Sequence, residues 1–132
     1  MISVSYIHLF NTPNINHTTP VYNSCLKFRS PEEYEYGDQT EKVDIYSMGN
    51  VFYVLLTATW PWDGTKEEEA QKLVKEGKRP YVNGTILNST NPIDQALLKA
   101  MDMCYVHDPS KRASAKEVLN FLISINNNIT RS

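Results

Sequence analysis

The sequence predicts a mainly α chain with at most one short strand, at its N-terminus. Three observations carry this. Apolar residues recur at helical spacing from about residue 30 onward, most of these stretches open on a recognisable helix-start signal, and strict alternation belongs to the first seven residues. In that opening run Ile2, Val4 and Tyr6 share one face and Ser3 and Ser5 the other, which suits a strand. Asn11 to Ser24 is rich in Asn, Thr and Pro without any period, and reads as a loop.

Ser30-Pro31-Glu32-Glu33 opens a short helix running toward Tyr34, with Ser30 as N-cap and Glu33 as its capping-box partner. The next helix is expected to start at Asp38 or Thr40 and to run to about Thr57. Val43, Ile45, Tyr46, Met48, Val51, Phe52, Val54, Leu55 and Leu56 leave it almost no polar face, so it belongs in the centre of a larger body. Trp60-Pro61-Trp62-Asp63-Gly64 ends it with a turn. Thr65 is expected to cap an exposed amphipathic helix, with Glu68 as capping-box partner, Lys72 and Lys75 near the end and Gly77 as the stop. Asn91-Pro92 opens a further helix whose stripe is Ile93, Ala96, Leu97, Ala100, Met101 and Cys104. The last helix starts at Ser114, with Glu117 as capping-box partner, and is expected to bury Val118, Leu119, Leu122 and Ile125. Residues 126–132 read as a polar, disordered tail.

A chain of 132 residues is one domain at most, and it buries a core of its own only if it is a complete folding unit. Its net charge of −2 gives no clustered basic surface for nucleic acid or an anionic membrane, and neither is expected as a partner. The two cysteines, Cys25 and Cys104, lack metal-ligand spacing and read as free thiols in a reducing compartment. No basic stretch followed by an apolar run marks an export signal, so the cytoplasm or nucleus is expected. Val51 to Trp62, the most apolar stretch, falls short of the ~18 residues of a membrane span. Asn-x-Ser/Thr triplets at Asn16, Asn83, Asn88 and Asn128 read as chance in an Asn-rich chain without such a signal.

Three motifs carry more than composition does. Phe28-Arg29-Ser30-Pro31-Glu32-Glu33-Tyr34 is followed by Val43-Asp44-Ile45-Tyr46-Ser47-Met48-Gly49, and near the end by Asp108-Pro109-Ser110-Lys111-Arg112. Each alone is an ordinary helix start or turn. Their joint order and separation resemble the last third of a eukaryotic-type protein kinase domain, from the Ala-Pro-Glu motif through the final helices of the large lobe. The resemblance implies a protein kinase-like fold represented by a partial C-terminal lobe. Residues 1–29 would then be part of the activation segment and the substrate-facing loop, 30–125 the helical part of the lobe and 126–132 the tail.

The resemblance also implies roles for residues. Glu32 and Arg112 would form a structural ion pair, since an Arg fork matches a carboxylate bidentately. Asp44, near the start of the central helix, would accept hydrogen bonds from the family's catalytic loop, with Val51 and Leu55 supporting residues stacked beneath the nucleotide. A carboxylate in an apolar helix must find donors or stay at the surface, and the expected donors are not encoded here. Cys25, Lys27 and Phe28 fall in the loop that grips the substrate, and Thr18, Thr19 and Tyr22 in the segment where kinases are switched by phosphorylation. Lys27-Phe28-Arg29 and Gly77-Lys78-Arg79-Pro80 look closer to tyrosine-kinase patterns, while serine/threonine kinases are commoner, so substrate class stays open. On the same correspondence Leu9-Phe10-Asn11 stands where the family has Asp-Phe-Gly, and Leu cannot ligate Mg²⁺.

No Gly-x-Gly-x-x-Gly and no His-Arg-Asp followed by Asn occurs. No catalytic, cofactor-binding or metal-ligating residue is therefore assigned in this chain; ATP and Mg²⁺ belong to the full family domain. Two readings follow. The chain is part of a kinase domain, active or pseudokinase, whose partners are a missing upstream segment and a protein substrate; or it is a non-catalytic helical module that binds another protein.

Overall fold

The computed structural model describes residues 27–35 and 37–130, and among these the chain is helical with no strand. The expected strand and loop at the N-terminus, and with them Thr18, Thr19, Tyr22 and Cys25, lie outside the described residues, as do residues 131 and 132. In chain order the helices are α1 (Pro31–Tyr34), α2 (Lys42–Thr57), α3 (Glu67–Lys75), α4 (Gly84–Leu87), α5 (Pro92–Cys104) and α6 (Ala115–Thr130).

The centre of the fold is the α2–α5 pair, with α6 packed on α5 and α1 on α3. α2 contributes Ile45, Tyr46, Phe52 and Tyr53 to the core, and α5 contributes Ala100, Met101 and Cys104, followed by Tyr105. Gly49 lets the two helices close on each other: a Cβ there would lie 3.0 Å from Cys104 Cβ and 3.0 Å from the Tyr105 ring. Cys104 is a free, fully buried thiol, and burial pushes its pKa up to about 11, so it behaves as a small apolar residue.

Local signals set most helix ends. Glu33 accepts from both the N–H and the hydroxyl of Ser30, at 2.6 and 2.8 Å, and Glu117 does the same for Ser114, at 2.7 and 2.7 Å. The N–H and hydroxyl of Ser114 hold the Glu117 carboxyl below its usual range. Asn91 accepts from the Ile93 N–H at 2.8 Å. α3 ends in a Schellman arrangement, with Lys78 N–H donating to Leu73 carbonyl, Gly77 N–H donating to Val74 carbonyl, and Gly77 at φ +76.

Several expectations are corrected. α2 begins at Lys42, because Thr40 is used in a turn that receives the Lys42 and Val43 N–H groups. α3 is preceded by Lys66 at the N-cap position and has no side-chain cap. Thr65 instead offers its carbonyl to Lys27. Leu119 is exposed, since one stripe of α6 faces the core and Val118 occupies it. Ile93 is also exposed, in a first turn held by polar caps. Residues 126–130, expected as a disordered tail, continue α6, with Ile129 extending the apolar stripe of Phe121 and Ile125 along a groove beside Pro92 and Ala96. α4, which was not anticipated, is a single turn capped by Asn83 on the Thr85 N–H.

Gly49→Val should destabilise the full-length gene product by roughly 2 kcal/mol or more, because overpacking of a close helix crossing exceeds any propensity gain over Gly. Urea unfolding of the variant against wild type, read as a shift in midpoint at unchanged slope, checks it.

Candidate functional site

The described part of the chain contains a buried polar clamp that holds one loop, and the loop is the candidate site. Asp108 starts the clamp. Its carboxylate accepts from the Ser110 N–H at 2.9 Å and hydroxyl at 2.7 Å, and its carbonyl accepts from the N–H groups of Lys111 and Arg112. The Ser110 bonds hold the Asp108 carboxyl below its usual range. This tight turn, favoured by Asp-Pro-Ser, presents Arg112 to the interior.

Arg112 has no exposed side-chain surface. All of its N–H donors are used. Nε donates to Val106 carbonyl at 2.8 Å. One terminal nitrogen donates to Glu32 Oε1 and to Lys42 carbonyl, each at 2.6 Å, and the other to Glu32 Oε2 at 3.0 Å and His107 carbonyl at 3.1 Å. The guanidinium also lies 5.0 Å from the Tyr46 ring centroid, and Lys42 returns a bond from its ammonium to the Arg112 carbonyl at 2.6 Å. Burial by itself raises the pKa of Glu32, but the Arg112 hydrogen bond and charge, together with backbone and Ser30 bonding, outweigh it and hold the carboxyl below its ordinary 4.5.

Above the clamp, a second set of bonds positions residues 27–30. Asn50, buried inside α2, donates from Nδ2 to Phe28 carbonyl at 3.0 Å and accepts from the Tyr105 hydroxyl at 2.7 Å. Ser47 adds a weaker donor to the same carbonyl at 3.3 Å. The Lys27 ammonium donates to Trp62 and Thr65 carbonyls at 3.1 and 2.7 Å, and the Phe28 ring meets Trp60 edge-on at 5.8 Å. The loop is thus tied to α2 by its backbone and to the Trp60–Gly64 turn by its side chains, leaving its aromatic face beside an exposed indole.

Of the residues singled out by sequence, Glu32 and Arg112 meet in the clamp, and Lys27 and Phe28 stand in the anchored loop. Asp44, Val51 and Leu55 are brought together elsewhere, on an open flank of α2. Asp44 is exposed, and its carboxylate has no hydrogen bond or ion pair among the described residues. Val51 is 51% and Leu55 64% exposed. α2 is therefore covered on one side only among the described residues, where its all-apolar sequence led one to expect cover all round. Cys25 and the threonines and tyrosine at 18, 19 and 22 are outside the described residues. Sequence reasoning missed Asn50, Tyr105 and Lys42. The available signal for Asn50 was a lone amide in an otherwise apolar helix segment, which has to find partners on burial.

No three His, Cys, Asp or Glu side chains among the described residues are grouped so as to hold a metal ion. No described residue is assigned to Mg²⁺ or ATP. No helix among them is long and apolar enough to cross a membrane.

Residues 11–122 match a family model described as protein kinase domain. Serine/threonine-protein kinase 33 of Bos taurus is 31% identical over 102 residues, a match that takes in 77% of this chain and 19% of that protein. A calcium and calcium/calmodulin-dependent serine/threonine-protein kinase of Lotus japonicus is 29% identical over 105 residues, 78% of this chain and 20% of that protein. The chain thus spans about a fifth of the length of these curated relatives. Among solved structures, the twitchin kinase region from C. elegans superposes with a TM-score of 0.61 at 19% identity, covering 74% of this chain and 17% of that one, which shows a shared fold.

Two outcomes are expected from the clamp and its neighbour. Arg112→Met strands the Glu32 carboxylate in the interior and should cost about 3–5 kcal/mol in denaturant unfolding of the full-length gene product. Because the folded-state pKa of Glu32 is lowered, its stabilisation is present above the unfolded value and lost as pH falls through the folded one. Glu32→Gln should remove that part of the acid-limb dependence below about pH 4.5, seen as a flatter stability–pH curve. Separately, Asn50→Ala leaves the Tyr105 hydroxyl buried without its acceptor, at about 1–3 kcal/mol, and should speed limited proteolysis at Lys27 and Arg29.

Proposed function

The chain belongs to the protein kinase domain family, and from that premise we propose that it is the C-terminal part of a catalytic domain whose upstream part supplies the nucleotide site and the catalytic loop. The proposed activity of the whole protein is ATP-dependent phosphorylation of a protein substrate, with serine or threonine the favoured acceptor on the printed names of its relatives. The observation that carries the reading is the open flank of α2. Exposed Val51 and Leu55 on successive turns, in line with the exposed Asp44 near the helix start, form an apolar flank that a second body would cover.

Within that reading the residues of this chain have positioning work. Phosphoryl transfer depends on orientation and fixed electrostatics more than on covalent chemistry, so a loop that grips the substrate must itself be held. The Asn50 and Lys27 bonds hold residues 27–30, and the Glu32–Arg112 pair ties the following helix to the base of the lobe. Phe28 beside Trp60 offers the aromatic surface for the substrate residue next to the acceptor. ATP and Mg²⁺ in this proposal bind upstream of the chain. Taken alone the chain is inactive, lacking the groups that cradle phosphate. A second reading, a non-catalytic helical module, draws on the same open flank but has it covered by another protein.

The purified 132-residue chain should neither bind ATP nor unfold cooperatively, and micromolar nucleotide affinity in calorimetry would sink the reading. In the full-length gene product, phosphate transfer from labelled ATP to protein substrates is expected. There Leu55→Asp should cost at least about 2 kcal/mol, against roughly 0.5 kcal/mol or less at a genuinely solvent-facing position. A near-neutral Leu55→Asp together with absent phosphotransfer favours the non-catalytic module.

A further inference from the structure

Between the C-terminal turn of α2, the Trp60–Gly64 turn and the segment leading into α4 lies a half-open cleft of about 540 Å³, within the usual range of ligand sites. Tyr53 and Thr57 form its back, Trp62 and Asp63 one wall, and Arg79 and Tyr81 the other. It does not coincide with the open flank of α2: Tyr53 and Thr57 each stand two residues from Val51 and Leu55, about 200° around the helix, so the two surfaces face apart.

The cleft is built, not incidental. The Tyr53 hydroxyl donates to Tyr81 carbonyl at 2.8 Å and ties back to wall. The Thr57 hydroxyl donates to Tyr53 carbonyl at 2.8 Å and receives the Thr59 hydroxyl at 3.0 Å. Lys27 fixes the turn that carries Asp63, by its bonds to Trp62 and Thr65 carbonyls. Trp62 itself is held at φ +59, a left-handed conformation that a bulky aromatic residue adopts only when its surroundings over-determine it. A strained backbone that sets an indole into the wall of a cleft points to recognition at that wall.

The chemistry of the lining selects a charge. Arg79, the basic residue of the lining, already bonds Asp102 at 2.6 Å and lies 5.8 Å from the Tyr105 ring centroid, and the neighbouring Lys27 ammonium is engaged by the Trp62 and Thr65 carbonyls. The Asp63 carboxylate is exposed, with no hydrogen bond or ion pair among the described residues. Aromatic surface from the partly exposed Trp62 and the exposed Tyr81, with one carboxylate free of protein partners, supplies the elements that receive a guanidinium, by cation–π attraction and a bidentate carboxylate contact. We propose that this cleft binds an arginine side chain of a partner polypeptide.

The inference stands apart from phosphotransfer, because binding is read without nucleotide. Fluorescent peptides of Gly, Ser and Ala with one central arginine are titrated onto the full-length gene product by anisotropy, beside counterparts carrying citrulline, the neutral near-isostere. Arginine should bind about five- to tenfold tighter than citrulline. Asp63→Asn, a near-isosteric change in an exposed turn, should erase that preference, and Tyr81→Ala should weaken both peptides. Glu68→Gln, an exposed acid outside the cleft, should leave the preference intact. Equal binding of arginine and citrulline, no binding of either, a preference that survives Asp63→Asn, or one lost equally in Glu68→Gln overturns the proposal. Retained arginine preference in a product that transfers no phosphate would leave the cleft standing and count against the catalytic reading alone.

Discussion

A guanidinium with no exposed surface has to place every N–H inside the protein, and the way Arg112 does so organises the lobe. Its bonds reach Glu32 in α1, the carbonyl of Lys42 at the start of α2, and the carbonyls of Val106 and His107 in the link after α5. Three segments distant in sequence are held at one point, and Lys42 closes the arrangement by bonding the Arg112 carbonyl. A buried ion pair gives little net stability over an apolar replacement, because desolvation offsets attraction. Its value here is geometric: apolar packing tolerates sliding, whereas a bidentate fork with each donor assigned does not. The direction of the Glu32 shift agrees with this, since the carboxylate stays ionised despite burial.

The loop at residues 27–30 inherits that fixity. It has no regular structure of its own and is held between the clamp below and Asn50 beside it. The Tyr105 hydroxyl orients the Asn50 amide so that its nitrogen faces Phe28, and Tyr105 in turn packs against Tyr46, whose ring lies over Arg112. A continuous path of polar and aromatic contacts therefore joins the ion pair to the backbone of the loop. Disturbing either end should be felt at the other through these bonds, without any hinge being required.

Much of this was legible in the sequence, and the exceptions share a cause. Capping boxes at Ser30/Glu33 and Ser114/Glu117 are local, so residue types at fixed spacing predicted them directly. The Glu32 and Arg112 pairing was implied by the resemblance that the three motifs carry, and not by any local pattern, since their contact bridges 80 residues. Thr65 failed as a cap because a distant residue, Lys27, engages its carbonyl, and no window around Thr65 contains that information. Residues 126–130 failed for the opposite reason: polarity suggested a tail, but Ile129 continues a stripe that needs only one turn of partner to persist. Asn50 was passed over because it was counted as one more position of an apolar helix, when a lone amide there was the sign of a bond to be made.

The helix α2 was read as needing cover on every side, and the described residues cover part of it. That difference is itself informative about how the work is divided around one helix. Ile45, Tyr46, Phe52 and Tyr53 hold the lobe together, while Val51 and Leu55 remain in water. The exposed Asp44 carboxylate suits the first turn of α2, where an acid meets the positive end of the helix dipole, but the two large aliphatic side chains on the same flank bury nothing among the residues described. Selection for solubility would readily replace Val51 and Leu55 by polar residues, with little cost at an exposed helical surface. On the proposed reading, a second surface meets them. Under that reading, covering Asp44 as well would require donors near the start of α2 and apolar contacts further along, a combination that a loop lying across the helix would provide and a flat apolar partner would not.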